Sequence, residues 1–285
     1  MANQLKYTLV LLVTFFYGCS FTLDFGGFFF PGDLVDSRFV QSDQWNQTNP
    51  FKNLIVSSEN YQLIVAADSH IGPEVNFKKF LIQASKPENT AFVIVGDIVI
   101  GHKEDYLILK NNLPDFNQVH YFLIAGNHDL YFDGWKTFFA DFGSSTYYFT
   151  VQTPTKNDIY ICLDSGSGTL GGKQLLWLKN VLSTKRDNYH NCVVFSHVNF
   201  FRNRHTGSTN LLVEELYVLM DLFDRYKVNM VISGHDHVRF VNNFGFTTYI
   251  TTDGLLDSNT NASFLKLKVD SENLNYEFVN LKSLN

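Results

Sequence analysis

The amino-acid sequence predicts an α/β domain, in which a β-sheet is covered by helices on its outer side. Short apolar runs rich in β-branched residues recur along the chain, and segments with helical spacing of apolar residues lie between them. Near the C-terminus, closely spaced strand-like segments replace this alternation. Residues 59–285 contain no internal repeat and no linker, so we expect one domain over this range.

Each predicted element follows from its local pattern. Strand-length apolar runs lie at residues 61–67, 91–96, 119–125, 159–164, 192–196 and 228–233. Apolar residues at i, i+3 and i+4 predict amphipathic helices at residues 75–85, 131–142, 173–183 and 209–226. From residue 238, the segments VRFVNN, TTYITT, SFLKLKVD and LNYEFVN predict a meander of strands joined by Asn, Gly and Asp turns.

The first 18 residues have the pattern of an export signal. A single lysine precedes an apolar stretch that suits a secretory signal peptide and is short for a bilayer span. Gly18-Cys19 follows and resembles the lipobox of bacterial lipoproteins, although Phe16 replaces the usual leucine-like residue. The resemblance implies cleavage before Cys19 and a lipid on its thiol, with the protein facing the periplasm or the cell exterior. A plain signal peptide and an N-terminal core strand are the alternatives.

Residues 19–58 are then expected to form a lipidated tether and an ordered N-terminal extension, since they are rich in Gly, Phe and Asp and lack a sustained period. Two further cysteines, Cys162 and Cys192, lie in apolar strand-like runs. Buried thiols are the favoured interpretation, and one disulfide is the alternative in an oxidising compartment. The net charge of −6 and the scattered basic residues argue against a nucleic-acid-binding surface.

Polar side chains follow five of the predicted strands at the point where each strand ends. The residues are Asp68 and His70, Asp97, Asn127 with His128 and Asp129, His197, and His235 with Asp236 and His237. In open α/β sheets, ligand sites lie off the carboxyl ends of the strands, so we expect these groups to converge on one rim.

Two carboxylates packed together without compensating charge would be costly to bury. Two divalent cations remove this cost, and mixed histidine and carboxylate ligands suit Zn, Mn or Fe better than Ca. A pair of ions about 3.5–4 Å apart also acidifies a bridging water and stabilises attacking and leaving oxygens. The rim therefore predicts a dinuclear centre able to act on a phosphate group.

The motifs Asp68-x-His70, Gly96-Asp97, Gly126-Asn127-His128-Asp129, His197 and Gly234-His235-x-His237 resemble, in order, those of the calcineurin-like metallophosphoesterases. The resemblance covers residues 60–240 and implies a double β-sheet sandwich flanked by helices, an α-β-β-α arrangement. It also implies that one metal ion binds to Asp68, His70, Asp97 and His237. The second ion is then held by Asp97, Asn127, His197 and His235, with Asp97 bridging the pair.

The same resemblance implies that His128 is not a metal ligand. A hydroxide bridging the ions attacks phosphorus, and His128 stabilises the transition state or protonates the leaving alkoxide. We expect Asp129 to orient the His128 ring; a capping role at the helix that starts near Leu130 is a second interpretation and does not exclude the first.

Several nearby residues have two interpretations each. Arg202, Arg204 and His205 either grip a substrate phosphate or belong to a solvated loop, which is the favoured interpretation. His102 is expected to be exposed, Asp164 to be a turn residue or a contact behind the ligands, and Asp236 to serve its loop.

Three functions remain after these arguments. The leading one is a metal-dependent phosphoesterase outside the cytoplasm, whose ester substrate the sequence leaves open. Another metallohydrolase is disfavoured because its His-x-His motif would stand earlier in the chain. A lipid-anchored binding module that has lost catalysis is the alternative from another class, and loss of a metal ligand would mark it. Every ligand position is filled here.

Overall fold

The computed structural model describes residues 35–202 and 209–284. The strands of this part are β1 (Asn53–Ile55), β2 (Tyr61–Ala66), β3 (Ala91–Val95), β4 (Tyr121–Ile124), β5 (Tyr147–Gln152), β6 (Asn157–Leu163), β7 (Cys192–Ser196), β8 (Met230–Ser233), β9 (Phe240–Phe244), β10 (Thr247–Thr251), β11 (Ser263–Val269) and β12 (Leu274–Asn280). Its helices are α1 (Val35–Thr48), α2 (Val75–Ala84), α3 (Lys103–Asn112), α4 (Gly134–Phe142), α5 (Gly171–Lys185) and α6 (Val213–Arg225), with 3₁₀ turns at His128–Asp133, Arg186–Asn188 and Leu281–Ser283.

These strands form two mixed sheets. One has seven strands in the order β1-β5-β6-β7-β8-β10-β9, and the other has five in the order β12-β11-β2-β3-β4. Strands β2, β3 and β4 run parallel, as do β6, β7, β8 and β10. The predicted β-meander is divided between the sheets, because β9 and β10 extend the larger sheet whereas β11 and β12 extend the smaller one.

The two sheets face each other across one apolar layer. Val65 and Phe122 of the small sheet and Phe149 and Phe195 of the large sheet belong to this layer. The rings of Phe122 and Phe149 stack directly across it, with centroids 3.6 Å apart and planes 1° from parallel. Burial of such aromatic rings is a large part of the free energy that holds two sheets together.

Helices cover the outer face of each sheet. Side chains of α2, α3 and α4 pack with those of the small sheet, and side chains of α5 and α6 pack with those of the large sheet. Because both faces of the central strands are buried, these strands read as continuous apolar runs rather than as alternating ones. The α-β-β-α sandwich that the sequence predicted is confirmed.

The N-terminal signal and Cys19 lie outside the described residues. Within residues 35–58, helix α1 packs against α5, and the rings of Phe39 and Trp177 lie 6.2 Å apart. Strand β1 pairs in parallel with β5 and is therefore part of the seven-stranded sheet. The predicted extension is thus built into the same layers as the segment that follows residue 58. None of the described helices combines the length and apolar character that crossing a membrane requires.

Cys162 and Cys192 lie on neighbouring strands but on opposite faces of the large sheet. Cys162 is buried in the layer between the sheets, and Cys192 is buried beneath the helices. Both are free thiols. Since side chains that point to opposite faces cannot bring their sulfur atoms together, the disulfide alternative is excluded for this pair.

Sequence periodicity missed four of the described elements and misplaced the start of another. Helices α1 and α3 and strands β1 and β5 were not predicted. The helix expected at 131–142 begins only at Gly134, because Phe132 and Asp133 have φ values of 53° and 62° and interrupt the helical path. Left-handed backbone at two consecutive residues is incompatible with a continuous right-handed helix.

Candidate metal centre

The predicted site residues lie at the carboxyl ends of strands from both sheets. Asp68, Asp97 and Asn127 follow the parallel neighbours β2, β3 and β4, and His197 and His235 follow the parallel neighbours β7 and β8. Backbone hydrogen bonds tie adjacent loops together, for example from Asp68 N to Gly96 O at 3.0 Å and from Gly234 N to His197 O at 3.1 Å. One rim therefore collects residues from positions 68 to 237 of the chain.

The backbone at this rim is held in an unusual conformation. Five of the predicted ligands have left-handed φ values, namely Asp68 at 55°, His70 at 42°, Asp97 at 49°, His235 at 74° and His237 at 59°. Non-glycine residues rarely adopt this region, and where they do the strain is concentrated at functional sites. The sharp turns direct these side chains into one small volume instead of letting the strands continue.

A first group of donors contains Asp68, His70, Asp97 and His237, whose candidate ligand atoms all lie within 4.8 Å of one another. The Nε2 atoms of His70 and His237 are 3.2 Å apart. His237 Nε2 lies 3.4 Å from Asp68 Oδ1, and His70 Nε2 lies 3.7 Å from Asp97 Oδ2. Two imidazole nitrogens and two carboxylate oxygens at this separation are a suitable shell for one divalent cation.

A second group contains Asp97, His197 and His235, again with ligand atoms within 4.8 Å. His197 Nε2 lies 3.2 Å from Asp97 Oδ1 and 3.2 Å from Asn127 Oδ1. The other ring nitrogen of His197 is 2.9 Å from the carbonyl oxygen of Val95, which fixes Nε2 as the nitrogen that faces the centre. Asp97 belongs to both groups and lies between them.

Contacts with Asp68 and Thr209 orient His235. Its backbone N–H donates to both carboxylate oxygens of Asp68, at 3.0 and 2.9 Å. Its Nε2 lies 2.8 Å from the carbonyl oxygen of Thr209, and a carbonyl only accepts, so Nε2 carries the proton of the neutral ring. The nitrogen with a free lone pair for a cation is then Nδ1.

Burial and neighbouring charges shift the protonation equilibria of the cluster in both directions. Burial lowers the pKa of His70 to about 4 and that of His235 to about 4, so both rings are neutral near pH 7. Burial alone would raise the pKa of Asp97, but His197 and other nearby histidines bring it below its ordinary value. Burial opposes the charge on His197, yet Asp97 raises its pKa to about 9. A cation that bound here would replace the His197 proton as the partner of Asp97.

Two glycines allow the rings to pack this closely. A Cβ atom at Gly96 would lie 2.4 Å from His197 Nδ1, and one at Gly126 would lie 2.3 Å from Asp97 N. Any side chain at either turn would displace the centre.

His128 belongs to neither donor group and lies at the open side of the rim. Its side chain is 36% exposed, its Nε2 is 4.0 Å from Asp97 Oδ2, and its ring meets that of His70 edge-on at 4.5 Å. Its backbone N–H donates to Asp97 Oδ1 at 2.8 Å, so the loop carrying His128 is anchored to the shared carboxylate. This position suits a group that meets a substrate from the solvent side.

Asp129 differs from both interpretations of its sequence pattern. Its buried carboxylate accepts hydrogen bonds from the backbone N–H groups of Gly126 at 2.7 Å, Val99 at 2.9 Å and Ile98 at 3.2 Å. These are its hydrogen bonds in the described structure, so it neither contacts the His128 ring nor caps the following turn. Burial raises the pKa of Asp129 to about 7, while the three donors oppose this rise. Asp129 positions His128 only indirectly, by joining two loops.

Sequence reasoning missed Tyr131 as part of the site. The Asn127 side-chain N–H₂ donates to the Tyr131 hydroxyl at 3.2 Å, which leaves Oδ1 of the amide facing His197. The spacing of four residues in a tight turn is a weak signal for such a contact, because it needs the 3₁₀ geometry of His128–Asp133 to form.

The remaining residues near the rim form a supporting network. Arg202 Nη2 pairs with Asp236 Oδ1 at 2.9 Å, and Asn199 donates to the other oxygen of Asp236 at 2.9 Å. Arg202 Nη1 also donates to the carbonyl oxygen of Thr209 at 2.9 Å, beside the contact from His235. Arg202 therefore joins the two loops that hold the second donor group. Arg204 and His205 lie outside the described residues.

Two residues that the sequence left ambiguous have definite surroundings. His102 is exposed, and its ring stacks on Phe132 with centroids 4.3 Å apart. Asp164 is buried and pairs with Arg38 of α1, with Nε and Oδ2 2.7 Å apart. Asp164 is therefore part of an ion pair rather than a simple turn residue.

Residues 61–239, more than half of the chain, match the family model described as calcineurin-like phosphoesterase. The chain belongs to this family. The match within this calcineurin-like phosphoesterase spans every residue of both donor groups together with Asn127 and His128. It excludes helix α1 and strands β1, β9, β10, β11 and β12, which the structure nevertheless joins to the same sandwich.

Solved structures with the same fold are similar to this calcineurin-like phosphoesterase at low sequence identity. A dimetal phosphatase from Danio rerio is 13% identical, with 78% of this chain and 96% of that chain covered and a TM-score of 0.63. GAP50, the anchor in the inner membrane complex of Plasmodium, is 15% identical, with coverage of 79% and 86% and a TM-score of 0.60. The purple acid phosphatase PPD1 from yellow lupin is 15% identical, with coverage of 80% and 53% and a TM-score of 0.59. No curated protein matches the sequence.

Proposed function

We propose that this calcineurin-like phosphoesterase hydrolyses a phosphoester with two divalent cations, of Mn, Fe or Zn. The observation that carries the proposal is that Asp97 belongs to both groups of donor atoms, so that one buried carboxylate is shared by two adjacent shells. Asp68, His70, Asp97 and His237 would hold one ion, and Asp97, Asn127, His197 and His235 would hold the other. The similarity in fold to a Danio rerio dimetal phosphatase supports a centre with two metal ions.

The donor set fits the charge of such a pair. Asp68 and Asp97 are the two buried carboxylates of the shells, and uncompensated they would repel each other in a region with little water. When bound, two divalent cations supply the activated water and the positive charge that phosphoester hydrolysis needs. The neutral rings of His70 and His235 add donors without adding negative charge, so the centre attracts an anionic phosphate.

A protein side chain then supplies the proton that the leaving group needs. A water oxygen forms the new bond to phosphorus, the ester P–O bond breaks, and the leaving oxygen takes up a proton. His128 is placed to give that proton, because its ring lies at the open side of the rim within 4.0 Å of Asp97. Asp129 supports this geometry by holding the backbone of Gly126 and Val99.

Metal analysis combined with turnover tests the proposal. We expect purified protein to bind two equivalents of Mn, Zn or Fe and to hydrolyse a generic aryl phosphate. Asp97→Asn should lose both ions and reduce kcat/KM by about a thousandfold or more. Asp141→Asn serves as the control, since Asp141 pairs with Lys110 on the surface of α4. Full metal occupancy without turnover, or turnover without metal, contradicts the proposal. If the protein shows neither bound ions nor turnover, the result favours a binding module.

We also propose that the protein is exported and attached to a membrane through a lipid on Cys19. The proposal is supported by the apolar segment that precedes Gly18-Cys19 and by the lipobox-like position of that pair. Fractionation of cells that express the full chain, with a labelled fatty acid, tests it. Label and membrane association should both be lost in Cys19→Ser. An unlabelled, fully released wild-type protein would contradict anchoring.

A further inference from the structure

Two aromatic side chains are exposed directly beside the residue that we place at the leaving group. Tyr131 and Phe132 follow His128 at a kink within the segment His128–Asp133, and they are 44% and 52% exposed. Large apolar side chains presented to solvent next to a functional cleft indicate a binding surface rather than a core position.

These rings continue a row that starts inside the metal centre. The centroid distances are 4.5 Å from His70 to His128, 4.8 Å from His128 to Tyr131 and 6.4 Å from Tyr131 to Phe132. His102 completes the row, because its ring lies 4.3 Å from that of Phe132 and within 14° of parallel. The row therefore leads outward from the first donor group, past His128, to the protein surface.

The exposed end of the row is held in place by the backbone. Phe132 has a φ of 53°, a conformation that bulky residues adopt only when their surroundings impose it. The Asp129 carbonyl accepts from the buried Tyr106 hydroxyl at 2.6 Å, which fastens the turn from beneath. At Gly101, with φ 96°, a Cβ atom would lie 2.6 Å from the carbonyl oxygen of Tyr131. The loop before α3 must therefore have a residue without a side chain at position 101 for the turn to fit.

A strained turn that exposes two rings needs a reason, and the position of His128 supplies one. The leaving oxygen must lie within hydrogen-bond reach of His128, so the organic part of the substrate extends from there along the rim. Tyr131 is the next side chain in that direction, and Phe132 with His102 follows. Faces of this kind bind planar ring systems by stacking, with little dependence on their polar substituents.

We propose that Tyr131, Phe132 and His102 form a stacking platform for the leaving group, and that the substrate is a phosphoester of an alcohol that carries a planar aromatic ring. The alcohol is either an aryl alcohol or a nucleoside, which share the planar π face. This inference rests on the proposed phosphoesterase function and specifies its substrate class.

The test compares pairs of esters that differ only in the ring. Benzyl phosphate against cyclohexylmethyl phosphate probes a ring close to phosphorus, and adenosine 5′-monophosphate against ribose 5-phosphate probes a ring further out. Each is assayed as the monoester and as the methyl diester with metal-replete protein. We expect kcat/KM to favour the aromatic member of at least one pair by about tenfold, within the range measured for stacking on aromatic side chains. A preference in the benzyl pair identifies an aryl alcohol as the leaving group, and a preference in the adenosine pair identifies a nucleoside.

Variants of the platform should change this ratio. Phe132→Ala should reduce the preference by about fivefold or more, and Phe132→Tyr should retain it because the π face is preserved. His102→Ala should reduce it in the same direction. The ratio of kcat/KM for the aromatic ester to that for its non-aromatic partner is compared within each variant. Loss of folded or metal-loaded protein lowers both values equally, whereas loss of stacking changes their ratio. Phe246→Ala is the matched control: this ring is 51% exposed in the turn between β9 and β10, and its removal should leave the ratio at the wild-type value.

Wild-type ratios within about twofold of unity in both pairs would overturn the platform. An unchanged ratio in both Phe132→Ala and His102→Ala would do the same. These outcomes differ from failure of the proposed function itself, in which no ester of either pair is hydrolysed by metal-loaded protein.

Discussion

Arg38 and Asp164 form a buried ion pair, with Nε and Oδ2 2.7 Å apart and side chains that are 1% and 2% exposed. A second contact joins Nη2 to Oδ1 at 3.1 Å, and Arg38 also donates to Ser167 at 2.9 Å. The pair links α1 to the loop after β6, on the same edge of the large sheet from which His197 projects. Helix α1 thus supports the loops of the rim that carries the two donor groups.

Replacing Arg38 with Met should destabilise the protein by about 3–5 kcal/mol, because Asp164 would be left buried without its partner. Urea denaturation followed by circular dichroism measures this change. Arg38→Met combined with Asp164→Leu should recover most of the loss, since no unpaired charge remains. Lys268→Met is the control: Lys268 pairs with Glu277 on the surface, and its loss should cost less than about 1 kcal/mol. Equal losses of unfolding free energy in Arg38→Met and Lys268→Met would refute this account.

His128→Gln should retain both metal ions while turnover falls by about 10²–10⁴-fold, as expected when a proton donor is removed. The loss should be larger for an alkyl ester than for a nitrophenyl ester, because a nitrophenolate leaves without needing a proton. Paired kcat measurements and metal analysis check both statements. His120→Gln, at the opposite end of β4, should behave as wild type. A similar loss for both esters would remove His128 from the leaving-group step.

Tyr131→Phe should weaken binding of one ion only. The substitution keeps the ring but removes the hydroxyl that accepts from Asn127, so the amide is free to rotate away from His197. Loss of such an orienting hydrogen bond typically costs about 10–100-fold in metal affinity. Calorimetric titration with Mn should therefore show one unchanged and one weakened site. Tyr217→Phe, on the exposed side of α6, is the control. Two unchanged sites would contradict the role of the hydroxyl.

The two internal thiols should be chemically silent in the native protein. Burial raises the pKa of Cys192 to about 12 and raises that of Cys162 well above its ordinary value. In a Cys19→Ser background, a thiol reagent at pH 8 should therefore label the native chain very slowly and both cysteines after denaturation.

The same shifts in thiol pKa determine how the free energy of unfolding changes with pH. An unfolded cysteine loses its proton as pH rises through its ordinary pKa of 9.0, whereas burial raises the pKa of the folded Cys192 to about 12, so that it keeps its proton longer. The contribution of each thiol is complete below pH 9 and decreases above it. Unfolding free energy should thus fall less steeply between pH 9 and 11 in Cys192→Ala than in the parent. Identical slopes would contradict the shift.

Much of the architecture followed from periodicity, and the reasons for the failures are local. The central strands were predicted because they are buried on both faces and read as unbroken apolar runs, and the rim followed from their polar ends. Asp129 was misassigned because two of its three partners, Ile98 and Val99, lie about 30 residues away in the chain, and all three are backbone groups without a side-chain signal. The role of Arg38 was not predicted because its partner, Asp164, is 126 positions distant. The roles of the metal ligands stay predictions until ions are measured.

The two donor groups also differ in their access to solvent. In the first, His70 and His237 have side chains that are 11% and 27% exposed, whereas every member of the second, including His197 at 0%, is buried. The ring of His197 is wedged between two glycine turns and has no room to swing outward. We therefore expect an ion held by the second group to exchange more slowly than an ion held by the first. A chelator should strip the pair in two kinetic phases, and a half-loaded species should accumulate between them.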